Sequence, residues 1–114
     1  MAYNFESKNH SSKKTIKDGI KTEDMKFQPL KDFIGEELQL DGFFFTDGKY
    51  GKQVVVIAND VKINLPKRFT EDFLEFRDND EAREDIISGK LWLVNIREID
   101  AKEGKTVTFD YKNS

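Results

Sequence analysis

Apolar residues are sparse and without period over residues 1–26, where six basic and four acidic side chains dominate. Such a segment buries too little surface to fold alone and is read as a flexible arm. Apolar density rises from Phe27 through Leu30, Phe33 and Ile34, which places a single domain over 27–114. The next run, Glu37-Leu38-Gln39-Leu40-Asp41-Gly42-Phe43-Phe44-Phe45, alternates as a strand does. Leu38, Leu40 and Phe44 share one face, and Gln39, Asp41, Phe43 and Phe45 share the other. Gly42 permits either a bend or a close backbone approach.

Thr46-Asp47-Gly48-Lys49-Tyr50-Gly51 has the composition of a hairpin loop. The strand beyond it, 52–58, is apolar at Val54, Val55, Val56 and Ile57, as expected of a strand covered on both faces. After the break at Ala58-Asn59-Asp60, Val61, Ile63 and Leu65 alternate with Lys62 and Asn64, a strand with one wet face that Pro66 ends. Phe69, Phe73 and Phe76 then recur at helical spacing and read as a core stripe. Asp78, with Glu81 three residues later, predicts the cap of a second helical turn that Gly89 closes. Two strands, 91–99 and 105–111, follow, and Trp92 shares parity with Val94 and Ile96.

Three strands, a helical insert and two strands predict an all-β fold, a five-stranded OB-type barrel with the helical insert between strands 3 and 4. A small open antiparallel sheet packed by the helix is the architectural alternative.

Composition narrows the chemistry. The 114 residues contain no cysteine, which excludes disulfides, thiolate nucleophiles and cysteine-ligated metals. No apolar run approaches the roughly 18 residues of a membrane helix, and the first ten residues lack the apolar centre of a signal peptide, so a cytoplasmic location is expected. Asn9-His10-Ser11 fits a glycosylation pattern without any sign of secretion. His10, the single histidine, lies in the arm. The carboxylates Asp78, Asp80, Glu81, Glu84 and Asp85 read as a solvated helical face rather than a magnesium or acid–base site. No GxxxxGKS/T, HExxH or GxSxG pattern occurs, so no enzyme activity, metal or cofactor is expected.

The formal charge of -3 is unevenly spread. Residues 71–85 hold eight acidic and two basic side chains, whereas the other 99 residues hold 17 basic and 14 acidic. With the insert turned away, Lys49, Lys52, Lys62, Lys67 and Arg68 can contact phosphate. Phe43 and Phe45 lie on the more polar face of their strand beside Lys49, Tyr50 and Lys52, a place where bases can stack. Asn64 accompanies Lys62 on its wet face, and Arg97 either meets phosphate or balances a carboxylate. Core packing is the competing role for Phe43, Phe45 and Trp92.

Leu40-Asp41-Gly42-Phe43 through Tyr50-Gly51-Lys52, the helical insert and Lys105-Thr106-Val107-Thr108-Phe109-Asp110-Tyr111 together resemble single-stranded DNA-binding proteins of phages of low-GC Gram-positive bacteria. The resemblance implies an OB-fold that coats single-stranded DNA during replication or recombination, in the host cytoplasm, as a homodimer or homotetramer working with other replication or recombination proteins. It marks Phe43 and Phe45 as stackers and Tyr50 as a loop contact. Cellular relatives end in an acidic, apolar recruitment tip; residues 110–114 carry none, so recruitment is expected through 1–26 or the acidic insert. A protein–protein adaptor and an RNA-binding protein are the alternative functions.

Overall fold

The computed structural model describes residues 14–48, 51–102 and 104–113. Strands β1 (Leu38–Gln39) and β2 (Gly42–Gly48) lie close in sequence yet belong to different antiparallel sheets. β1 joins β5 (Leu91–Ala101) and β6 (Gly104–Asn113) in the order β1-β5-β6. β2 joins β3 (Gly51–Ala58) and β4 (Val61–Asn64) in the order β2-β3-β4. Helices α1 (Thr70–Asp78) and α2 (Asp80–Ile87) connect β4 to β5.

The change of sheet takes place between two adjacent residues. Leu40 N–H donates to Leu91 O at 3.0 Å, and Asp41 N–H donates to Ile57 O at 2.8 Å. Changing partner also resets the alternation: Leu38, Leu40 and Phe43 are fully buried, while Phe44 is half-buried. The face expected to hold Phe44 in the core and Phe43 outside it is therefore reversed beyond Asp41. Gly42 is a close-approach glycine, because a Cβ there would stand 2.6 Å from Ile16 Cα and from Thr15 O. Phe43 N–H donates to Thr15 O and Lys17 N–H to Asp41 O, each at 2.9 Å, so residues 15–17 run along the outer edge of β2. Residues 26–28 bracket β4 in the same manner, through Lys62 N–H to Lys26 O and Gln28 N–H to Lys62 O.

β3 is the central strand of its sheet, and Val54, Val55, Val56, Ile57 and Ala58 have no exposure on either face. Its turn into β4 places Asn59 and Asp60 at φ 51° and 61°, the two positive dihedrals of a tight hairpin that Asn and Asp tolerate.

α1 carries the phenylalanine stripe inward. Phe73 is fully buried, with its ring edge-on to Phe43 at 5.1 Å and to Phe76 at 5.2 Å. Burial of one such side chain contributes about 1.5–3 kcal/mol. The second helix is capped one residue later than expected, by Asn79 rather than Asp78. Asn79 has extended dihedrals, its N–H donates to Phe76 O to end α1, and its Oδ1 accepts from Ala82 N–H at 2.9 Å to begin α2.

The β5–β6 hairpin carries a register shift between Val94 and Arg97, with Asn95 at φ 53°. The extra residue moves the buried positions from Leu91 and Leu93 to Ile96, so Trp92 is half-buried opposite Gln39 and does not share a face with Ile96.

The architecture is mixed α/β, two helices with two open three-stranded sheets, and not an all-β, closed OB-type barrel. Closure would require a strand ladder between β6 and β4, and the described residues form none. Side chains fill that position instead. Arg68 Nη2 donates to Val107 O at 2.7 Å, and Phe69 stacks on Phe109 with centroids 4.1 Å apart. The helices also supply core residues, Phe73 and Ile86.

Candidate anion-binding clefts

Pro66 ends β4, and the 3-10 turn Lys67–Phe69 leads directly into α1. Arg68 is fixed on this turn by its bond to Val107 O and by its guanidinium carbon, 4.9 Å above the Phe69 ring. Two clefts meet at the turn. One, of about 490 Å³, lies against the β5–β6 hairpin and is lined by Pro66, Lys67, Arg68, Ala101, Lys102, Gly104, Lys105 and Thr106. The other, of about 720 Å³, lies against the start of β3 and is lined by Gly51, Lys52, Lys67, Arg68, Thr70 and Glu71. Gly51 and Gly104 adopt φ 109° and 120°, which allows both hairpins to turn at the margins of the clefts. Among the described residues, five cations and one carboxylate therefore line a continuous surface drawn from three separate parts of the chain.

Of the residues selected from sequence, Lys52, Lys67 and Arg68 come together here. Phe43 does not reach any surface; it is sealed in the core and so cannot serve as a stacking platform. Phe45 is half-buried between cations, with Lys52 Nζ 5.7 Å and Arg77 Cζ 5.4 Å from its ring centroid. Lys62 lies over Phe27 at 4.4 Å, and Asn64 is exposed opposite Val55; neither lines the clefts. Arg97 balances a carboxylate, 3.5 Å from Asp110, and donates to Asn95 O at 2.9 Å. Lys49 and Tyr50 lie outside the described residues. Sequence reasoning missed Thr70, Lys102 and Lys105. The Lys102-Glu103-Gly104-Lys105 turn was a visible basic signal, but nothing local joined it to Lys67 and Arg68.

A smaller apolar cavity of about 180 Å³ opens among Phe76, Ala82, Asp85, Ile86, Leu91, Tyr111 and Asn113. Tyr111 donates its hydroxyl to Asp72 Oδ2 at 3.0 Å. Partial burial against the rings of Phe69, Phe73, Phe76 and Phe109 raises the phenol above its ordinary range, and the bond and charge of Asp72 push the same way. Tyr111 is therefore a hydrogen-bond donor near neutral pH, not a base.

Three other acidic residues of the insert lie against nearby cations. Asp80 pairs with Arg83, Asp78 lies 3.6 Å from Arg77, and Asp85 lies 3.8 Å from Lys90. Among the described residues, no group of three or more His, Cys, Asp or Glu side chains is arranged to hold a metal, and no helix is long and apolar enough to cross a membrane.

No family model, curated protein or solved structure matches the chain. The resemblance to phage single-stranded DNA-binding proteins is corrected by the fold. It rested on element layout and short motifs and implied an OB-type barrel, whereas the chain forms two open sheets bridged by helices and by Arg68 and Phe69. The assignments that followed from that kinship, to single-stranded DNA coating and to phage replication or recombination, fall with it.

Proposed function

We propose that this chain is a non-catalytic protein-binding module whose joined clefts receive an acidic segment of a partner protein. One observation carries the reading: among the described residues, Lys52, Lys67, Arg68, Lys102 and Lys105 line two clefts that share a wall, against one carboxylate, Glu71. Clustered cations raise the local concentration of an anionic partner and speed its encounter. No aromatic ring stands among the described residues lining either cleft. The described lining thus supplies what carboxylates need, charge and N–H donors.

Fluorescence anisotropy with a labelled Glu- and Asp-rich peptide tests the reading, with a Lys-rich peptide and a matched single-stranded oligonucleotide as controls. The acidic peptide binds at low ionic strength and weakens as salt rises. The double reversal Lys52→Glu with Lys105→Glu lowers its affinity by about tenfold or more. Failure of the acidic peptide to bind at low salt, or tighter binding of the oligonucleotide, refutes the proposal.

A further inference from the structure

The apolar cavity of about 180 Å³ sits within the most acidic part of the chain. Phe76 and Tyr111 line it with rings set edge to face, 5.7 Å between centroids, and Ala82, Ile86 and Leu91 add aliphatic surface. Ile86 and Leu91 are buried while Tyr111 is 37% exposed, so the space runs from the surface down to the core. An apolar cavity of about 150 Å³ takes a benzene-sized ring, whereas pockets for drug-sized ligands begin near about 300 Å³. This cavity therefore has room for one ring. Carboxylates flank it from both helices. Asp85 lines it from α2, and Asp72, one turn before Phe76 on α1, accepts the Tyr111 hydroxyl. Around them, residues 71–85 carry eight acidic side chains and two basic ones. Neither basic residue lines the cavity: Arg83 is buried against Asp80 and Arg77 O, and Arg77 lies over the Phe45 ring. Lys90 stands 3.8 Å from Asp85, but both side chains are about half exposed or more, and such a pair yields readily to a competing cation.

We propose that this cavity receives an aromatic side chain of a basic partner segment, whose flanking lysines or arginines pair with Asp72, Asp85 and the acidic face of the insert. The incoming ring packs against Phe76 and Tyr111, as aromatic groups do edge to face. The flanking cations are attracted by a surface opposite in sign to the Lys- and Arg-lined clefts, with which the cavity shares no lining residue. A small amine would answer one carboxylate. Negative charge spread over α1 and α2 calls for cations on both sides of the ring, which a peptide chain supplies.

A Lys-Lys-Phe-Lys-Lys peptide titrated into the full chain should shift the Ala82, Ile86 and Leu91 methyl resonances by ring current, saturably and less strongly as salt rises. Exchanging the peptide's phenylalanine for serine, or its lysines for glutamates, lowers affinity by about tenfold or more. Ala82→Leu fills the cavity with a side chain that helices accept and abolishes binding, while Asp85→Asn leaves the cavity open and lowers affinity by about threefold. Should Ala82→Leu fail to fold by circular dichroism, the reversal Asp85→Lys takes its place and lowers affinity by about tenfold. The absence of saturable shifts at low salt, equal binding of the glutamate-flanked peptide, or undiminished binding to the variants overturns the proposal. Phenethylamine binding as tightly as the peptide assigns the cavity to a small amine and overturns the partner segment. The same methyl shifts on concentrating the protein alone place a second copy there and overturn it as well.

Discussion

Replacing Gly42 with alanine sets a single methyl group against the backbone of the segment that covers β2. The added Cβ would lie 2.6 Å from both Ile16 Cα and Thr15 O, and neither atom belongs to a side chain that can swing aside. Gly42 does not have a positive φ, so the cost is steric and not conformational. Relief requires residues 15–17 to move outward, giving up the bonds from Phe43 N–H to Thr15 O and from Lys17 N–H to Asp41 O. Two backbone bonds at about 0.5–1.5 kcal/mol each amount to roughly 1–3 kcal/mol. Alanine returns about 0.4–1 kcal/mol by restricting the unfolded chain. The expected net loss is about 1–2 kcal/mol. Urea unfolding of Gly42→Ala should show a lower midpoint at unchanged slope, and hydrogen exchange should show faster exchange at the Phe43 and Lys17 amides. An unchanged midpoint with both amides still protected would show that residues 15–17 do not rest on Gly42.

Asn79→Ala removes the bond that starts α2 and should destabilise the protein by about 1 kcal/mol in the same urea assay, whereas Asn79→Asp, which keeps the acceptor, should retain most of the stability. Tyr111 gives a pH dependence with a definite sign. Because its folded pKa is raised above an unfolded value of about 10, its contribution to stability is complete below that pH and declines as pH rises past it. Phenolate absorbance compared between the native protein and Tyr111→Phe checks this, and ionisation of Tyr111 at the ordinary midpoint would contradict it.

Much of the chain was legible locally. The positive dihedrals of Asn59 and Asp60 lie where the break after Ala58 was read, and both-face burial of β3 follows from its unbroken run of Val and Ile. The stripe of Phe69, Phe73 and Phe76 does pack inward, Phe69 from the 3-10 turn and Phe73 and Phe76 from α1. Gly42 was open to two explanations, and the nearness of Ile16 favours close approach. The site was less legible. Lys52, Lys67 and Arg68 stand out locally as cations, whereas Phe43 takes the core-packing role that competed with stacking, because the change of partner strand at Asp41 turns it inward.

Periodicity along the chain determined which segments become strands, turns and helices, because side-chain direction within an element depends on its own backbone geometry. It also revealed that the acidic charge is concentrated in one insert, a property of composition alone. Tertiary structure alone decided which strand each edge finds. The partner change at Leu40 and Asp41 and the extra residue at Asn95 each reverse a face without disturbing the local apolar pattern. It also decided that a guanidinium and a phenylalanine ring, rather than a strand ladder, bridge the space beside β6. Lys52, Arg68 and Lys105 meet for the same reason: cations distant in sequence become one surface only after the sheets and helices have packed.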